Sequence, residues 1–139
     1  MRRDLFVETE RFPIAGGFAI SRGTKTHAEV VTCALMQDGK TGRGECVPYG
    51  RYGETIESVM SSIESMRQAL SDGISRHELL AAMPAGAARN AVDCALWDLE
   101  AKLGKLDIAE EFGAGPPRAR DGLHDFARRT RSDGRSGCP

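Results

Sequence analysis

The hydrophobic rhythm of the chain changes period part-way along its length. In "DLFVETERF", Asp4 to Phe12, Leu5 and Val7 alternate with Phe6, Glu8 and Glu10, the period of two expected of a strand. "PIAGG" (Pro13 to Gly17) breaks the pattern, and "FAISRGTKT" continues as an irregular, basic loop. "HAEVVTCALMQ", His27 to Gln37, is rich in β-formers and nearly all apolar at its centre, which predicts a covered strand. Asp38-Gly39 predicts a tight hairpin. "KTGRGECV" returns as a third strand, in which Gly42 and Gly44 indicate either a bulge or a close backbone approach. These segments predict a three-stranded antiparallel meander.

Beyond the loop "PYGRYGET", framed by Pro48, Gly50 and Gly53, the period lengthens. Ile56, Val59, Met60, Ile63, Met66 and Leu70 recur at helical spacing and predict a helix ending near Asp72-Gly73. "SRHELLAAM" predicts a short second helix, capped by Ser75 and stopped at Pro84. A third helix runs from about Ala85 to Leu103, striped by Val92, Leu96, Leu99 and Leu103 and widened by Ala88, Ala91, Ala95 and Trp97. Asn90, Asp93 and Asp98 lie beside the stripe, where hydrogen bonds from helix to loop are expected. "GKLDIAEEFGAG" adds a short helix with Ile108 and Phe112 as apolar anchors. The order predicts an α+β domain, a three-stranded antiparallel meander followed by a helical bundle against one face of the sheet.

Composition changes this picture little. With 139 residues there is room for one modest core, and a net charge of -1 offers no general reason to expect a nucleic-acid or membrane partner. No stretch approaches the roughly 18 apolar residues of a membrane span, and "MRRDLFVETE" has no apolar run resembling a secretory leader. Cys33, Cys46, Cys94 and Cys138 form no C-x-x-C pair, and with His27, His77 and His124 they make no zinc spacing. Cys33 and Cys94 fall on apolar faces as expected core residues, and the expected setting is cytoplasmic.

The order of motifs, with "RGECVPYGRYGET" in the middle and "PAGAARNAVDCALWDLEAK" at the end, resembles the N-terminal capping domain of the enolase superfamily. "ISRGTKTHAEVV" and "GECVPYGRYGET" narrow the resemblance to the muconate-lactonizing subgroup and its dipeptide epimerases of the L-Ala-D/L-Glu type, over Val7 to Leu103. The resemblance implies a two-part, Mg2+-dependent isomerase acting on a small dipeptide by 1,1-proton transfer. The cap closes over the substrate, and a (β/α)-barrel holds the metal and two catalytic lysines. A barrel needs about 200 residues or more; 36 follow Leu103, without a Lys-x-Lys. The expectation is therefore a capping domain over residues 1–112, with the barrel domain absent, no catalytic residue and no metal ligand. Such a chain is inactive alone, its partner being a missing or separately encoded barrel.

The resemblance also places substrate contacts. The loop after the first strand matches the epimerase position that meets the substrate's side-chain carboxylate at Lys25, with Arg22 nearby. The second loop offers Tyr49, Arg51 and Tyr52 as lid residues, and Glu45 with Arg43 is expected to form a strand-end ion pair.

From residue 113 the family pattern stops. Residues 114–139 hold six arginines, no lysine, and little apolar material beyond Leu123 and Phe126. Such enrichment without periodicity is what a GC-rich gene yields out of frame. One codon choice for "DGLHDFARRTRSDGRSGC", read one base later, encodes TAYTISLDAPDRMAAAA, similar to the entry into the epimerases' first barrel strand. Residues 113–139 are thus expected to be a frameshifted, disordered tail. The alternative is a stand-alone α+β protein- or peptide-binding module whose Arg-rich end is an interaction arm.

Overall fold

The computed structural model describes residues 2–20, 23–111 and 113, which divide into a unit reaching Asp107 and a second beginning at Ile108. In the first, strands β1 (Asp4–Ile20), β2 (Gly23–Gln37) and β3 (Lys40–Cys46) form an antiparallel meander in sequence order. Phe6, Ala34 and Arg43 stand side by side across it. Asp38 and Gly39 turn with φ of 50° and 73°, the left-handed pair that a two-residue hairpin requires.

The expected irregular loop is instead a continuation of the hairpin. β1 pairs with β2 from Asp4↔Met36 to Pro13↔His27, slips, and resumes from Phe18↔Lys25 to Ile20↔Gly23. Residues 14–17 stand against Thr26 alone, and Gly16 and Gly17, with φ of 76° and 70°, absorb the surplus in a bulge. Ladder bonds join backbone to backbone, so the arm forms without the side-chain alternation that sequence reading relies on. Lys25 and its neighbours on β2 are exposed along the arm.

Four helices cover one face of the sheet: α1 (Ile56–Ser65), α2 (Arg67–Ser71), α3 (Arg76–Ala82) and α4 (Ala87–Lys102). The single helix expected from Ile56 onward divides at Met66, whose N–H donates to the Ile63 carbonyl. Just beyond the break, Arg67 donates to the Leu5 carbonyl at 2.7 Å while its fork holds Glu64. Reciprocal capping boxes start α1 (Thr55 with Ser58) and α3 (Ser75 with Glu78), the second at the expected residue. Leu5, Val31, Cys33 and Leu35 from the sheet meet Ile63, Leu70, Leu79, Leu96 and Leu99 in one core. The helices cover β2 on that side; on the other face Met36 is 38% exposed, although Val30 is buried.

α4 lies directly on β3. A Cβ at Gly44 would collide with the Ala91 carbonyl, and one at Gly42 with that of Ala95, so the glycines mark a close approach and not a bulge. Of the polar residues beside the stripe of α4, Asn90 and Asp98, joined by Lys102, turn to this strand's open edge, not to loops. Lys102 Nζ donates to the Thr41 carbonyl at 2.8 Å, the Arg43 N–H donates to Asp98 Oδ2 at 2.8 Å, and Asn90 Nδ2 reaches the Glu45 carbonyl. Edge groups that would otherwise invite another strand are thereby satisfied. Burial works against the Asp98 carboxylate, but the Lys102 ammonium and the Arg43 N–H outweigh it and hold its pKa below the usual range.

Two expectations are corrected here. Cys94 is exposed, because it sits on the flank of α4 that neither β3 nor the other helices cover, whereas Cys33 and Cys46 are buried. Arg43 and Glu45 make no ion pair among the described residues. In the second unit, α5 (Ile108–Glu111) is the expected short helix, with Ile108 45% exposed. Phe112 and residues 114–139, and with them the reading of the tail, lie outside the described residues. Among the described residues no helix is long and apolar enough to cross a membrane.

Candidate functional site

Two segments far apart in sequence enclose a cavity of about 300 Å³: Gly23–Lys25, on the arm beyond the bulge, and Pro48–Arg51, just after β3. The arm delivers Lys25, paired with Phe18 across the ladder. The second wall is a 3-10 turn, Gly50–Tyr52, with the Tyr52 N–H donating to the Tyr49 carbonyl at 2.9 Å. Gly53, at φ 75°, closes it by donating to the Gly50 carbonyl. Among the described residues the lining carries two cations, Lys25 and Arg51, and no carboxylate. Opposite-sign charge is absent, so the cavity attracts anions. Its volume is at the small end for a ligand site, enough for a carboxylate and the few atoms behind it.

Of the predicted contacts, the structure brings together Lys25, Tyr49 and Arg51. Tyr52 is outside the lining and 77% exposed, its ring tilted 44° against that of Tyr49 at a centroid distance of 5.7 Å. Arg22 lies outside the described residues.

Sequence reasoning missed Glu54. Its Oε2 accepts the Tyr49 N–H at 2.9 Å and its Oε1 accepts the Ala87 N–H at 2.7 Å, joining the cavity wall to the first turn of α4. The bonds from Ala87 and Tyr49 hold its carboxyl below the usual range. One clue was available: α4 begins at Gly86 with no side chain to cap it, so its orphan N–H groups need an acceptor from elsewhere.

A larger concavity of about 470 Å³ on the uncovered sheet face holds Glu8, Glu10 and Glu45 beside Arg43 and Phe6, the mixed chemistry of a solvated sheet surface. Among the described residues no three His, Cys, Asp or Glu side chains come together as metal ligands.

Fold and site together define an α+β domain that presents an anion-attracting cleft where its longest hairpin meets the loop following β3. The chain belongs to the mandelate racemase / muconate lactonizing enzyme family, whose N-terminal domain matches residues 2–113. It is 45% identical over 115 residues to the L-Ala-D/L-Glu epimerase of Escherichia coli (strain K12), covering 83% of this chain and 36% of that enzyme. A crystal structure of an enolase family member from Agrobacterium tumefaciens, with homology to dipeptide epimerases and bound sodium and L-Ala-L-Glu, superposes with a TM-score of 0.78. The two are 56% identical, and the match covers 82% of this chain and 35% of that one. The dipeptide epimerase of Enterococcus faecalis, complexed with Mg and L-Leu-L-Tyr, superposes at 0.64 with 26% identity over 75% of this chain and 32% of that one. The chain thus spans about a third of the length of these relatives.

Proposed function

We propose that the chain is the capping portion of a dipeptide epimerase of the L-Ala-D/L-Glu type, forming the wall that receives the acidic end of the substrate, and that it has no epimerase activity by itself. The observation that carries this reading is one cavity on which Lys25 and Tyr49–Arg51 converge, cationic and free of carboxylates among the described residues. Lys25 meets a carboxylate as a point charge and Arg51 as a two-pronged fork, so together they fix position and tilt. Tyr49 supplies a flat wall, Tyr52 extends it outward as rim, and Arg22 stands next to the arm's Gly23 in sequence.

Epimerisation at an α-carbon needs a base on one face, an acid on the other, and stabilisation of the developing enediolate. Mg2+ serves the last need in the full-length family, but the described residues assemble no ligand set for it, and none of the cavity groups forms an acid–base pair across a substrate. This chain's share is recognition, and the proton transfer belongs to a barrel encoded in the remaining length of the relatives. The same reading takes residues 1–112 as the cap and residues 113–139 as out of frame. Sequencing the gene and finding no +1 frame that continues into a barrel would remove that part.

The test is exchange and binding together. Incubated with L-Ala-L-Glu and Mg2+ in deuterated water, the chain alone is expected to incorporate no deuterium at the glutamyl α-carbon; incorporation would refute the proposal. In NMR titrations L-Ala-L-Glu should shift the Lys25 and Arg51 signals, and L-Ala-L-Gln, lacking the side-chain carboxylate, should not. Lys25→Met should weaken the dipeptide about tenfold, the loss of one charge-assisted hydrogen bond.

A further inference from the structure

The geometry points to Glu54 as the positioning residue of the cavity's second wall: a carboxylate that touches no substrate and sets where Tyr49 and Arg51 stand by bonding the Tyr49 and Ala87 N–H groups at once. This rests on the proposed reading of the cavity as the substrate's anion site.

Glu54 immediately precedes Thr55, the capping residue of α1, so its backbone is anchored by the reciprocal Thr55–Ser58 bonds at 2.9 and 3.1 Å. From that fixed base one oxygen takes the first N–H of the 49–52 turn and the other takes the first N–H of α4, at 2.9 and 2.7 Å. The turn has only two internal backbone bonds, Tyr52 to Tyr49 and Gly53 to Gly50, and no buried residue of its own. Packing therefore does not hold it; an external acceptor must. Gly86 is the counterpart, because a Cβ there would lie 2.8 Å from Glu54 Oε1 and push the carboxylate away. The carboxylate itself is outside the cavity lining, so it orients the wall without touching an incoming anion. Protonation or amidation of Glu54 removes one acceptor and frees the turn at its first residue.

The test uses the whole 139-residue chain, labelled with nitrogen-15 and without substrate. In the wild type the Tyr49 and Ala87 amide protons should move together as pH falls, with one midpoint below the ordinary 4.5 of a glutamate. The Cys46 thiol, pushed up to about 11 by burial first and by the nearby Glu54 charge second, stays neutral throughout. In Glu54→Gln both resonances should move upfield, and the Tyr52 amide should lose about tenfold in exchange protection while core amides such as Leu35 and Leu96 keep theirs. Gly86→Ala retains the carboxylate but displaces it, besides straining the backbone at φ 158° ahead of α4, and should loosen the same turn. Unchanged protection at Tyr52 in both variants overturns the assignment. So does an equal loss across the core, which would make Glu54 a stabiliser of the whole domain. Failure of L-Ala-L-Glu to bind the wild type would count against the proposed function and leave these substrate-free readouts standing.

Discussion

At Gly44 the absence of a side chain is a packing requirement. The backbone of α4 rests against that of β3 so closely that even a methyl group has no room, and the obstacle is the Ala91 carbonyl, which belongs to a helix backbone and yields little. Gly44→Ala is therefore expected to cost about 3 kcal/mol, the upper range for overpacking. Urea denaturation would show it as a lower midpoint, and an unchanged midpoint would mean that α4 stands off further. Gly42 faces the same helix at Ala95 and Leu99. The alanines of α4 have the matching role: Ala91 and Ala95 are fully buried because nothing larger allows the two backbones to meet.

At the scale of the element, α4 does two things at once. Its apolar stripe fills the core while Asn90, Asp98 and Lys102, along one flank, satisfy the edge of β3. Asp98→Ala would release the Arg43 N–H and remove one of the two partners of Lys102 Nζ, leaving it the Thr41 carbonyl. The expected loss is about 1 kcal/mol, the net worth of a hydrogen bond whose donor can turn to water. A faster-exchanging Arg43 amide should accompany it, and retained protection at that amide would show that the edge bond is dispensable. The hairpin arm is the opposite kind of element. Among the described residues its β2 side, Gly23 to His27, is exposed, and the backbone ladder that resumes at Phe18↔Lys25 carries Lys25 to the cavity.

For the whole molecule, ionisation defines the range of stability. Burial, and to a lesser degree nearby negative charge, pushes the Cys33 thiol up to about 12 and the Cys46 thiol to about 11, from an ordinary 9.0. A group that keeps its proton longer when folded contributes fully below its unfolded value, and that contribution disappears as pH rises past 9 toward 12. The carboxyls of Glu54 and Asp98 are depressed instead, so their contribution is present above the ordinary 4.5 and 3.8 and is lost as pH falls below them. Unfolding midpoints should form a plateau between about pH 5 and 9 with a decline on each side. A fall inside the plateau would show that some other group controls stability.

Much of this was legible in the residues alone. Alternation marked β1, an apolar centre rich in β-formers marked β2, Asp38-Gly39 marked the hairpin into β3, and a period near 3.6 marked the helices, since each depends on local geometry. The family resemblance was legible in two motifs at the right distance, and the matching N-terminal domain covers residues 2–113. What escaped had causes spread across the chain. The arm continued past Pro13 because β1 and β2 pair through their backbones, which no side-chain pattern announces. Cys94 looked apolar in the helical repeat, but which flank of α4 is covered depends on where β3 lies.

The sequence by itself determined the order of strands and helices, and the resemblance of two motifs singled out Lys25, Arg22, Tyr49, Arg51 and Tyr52. Only the tertiary structure decided that Lys25, Tyr49 and Arg51 line one cavity, that Tyr52 does not, and that Glu54 binds the wall to α4. Local propensity acts over a few neighbouring residues. A cavity is made where segments some 25 residues apart are brought together, and that placement comes from the packing of the whole sheet and its helices.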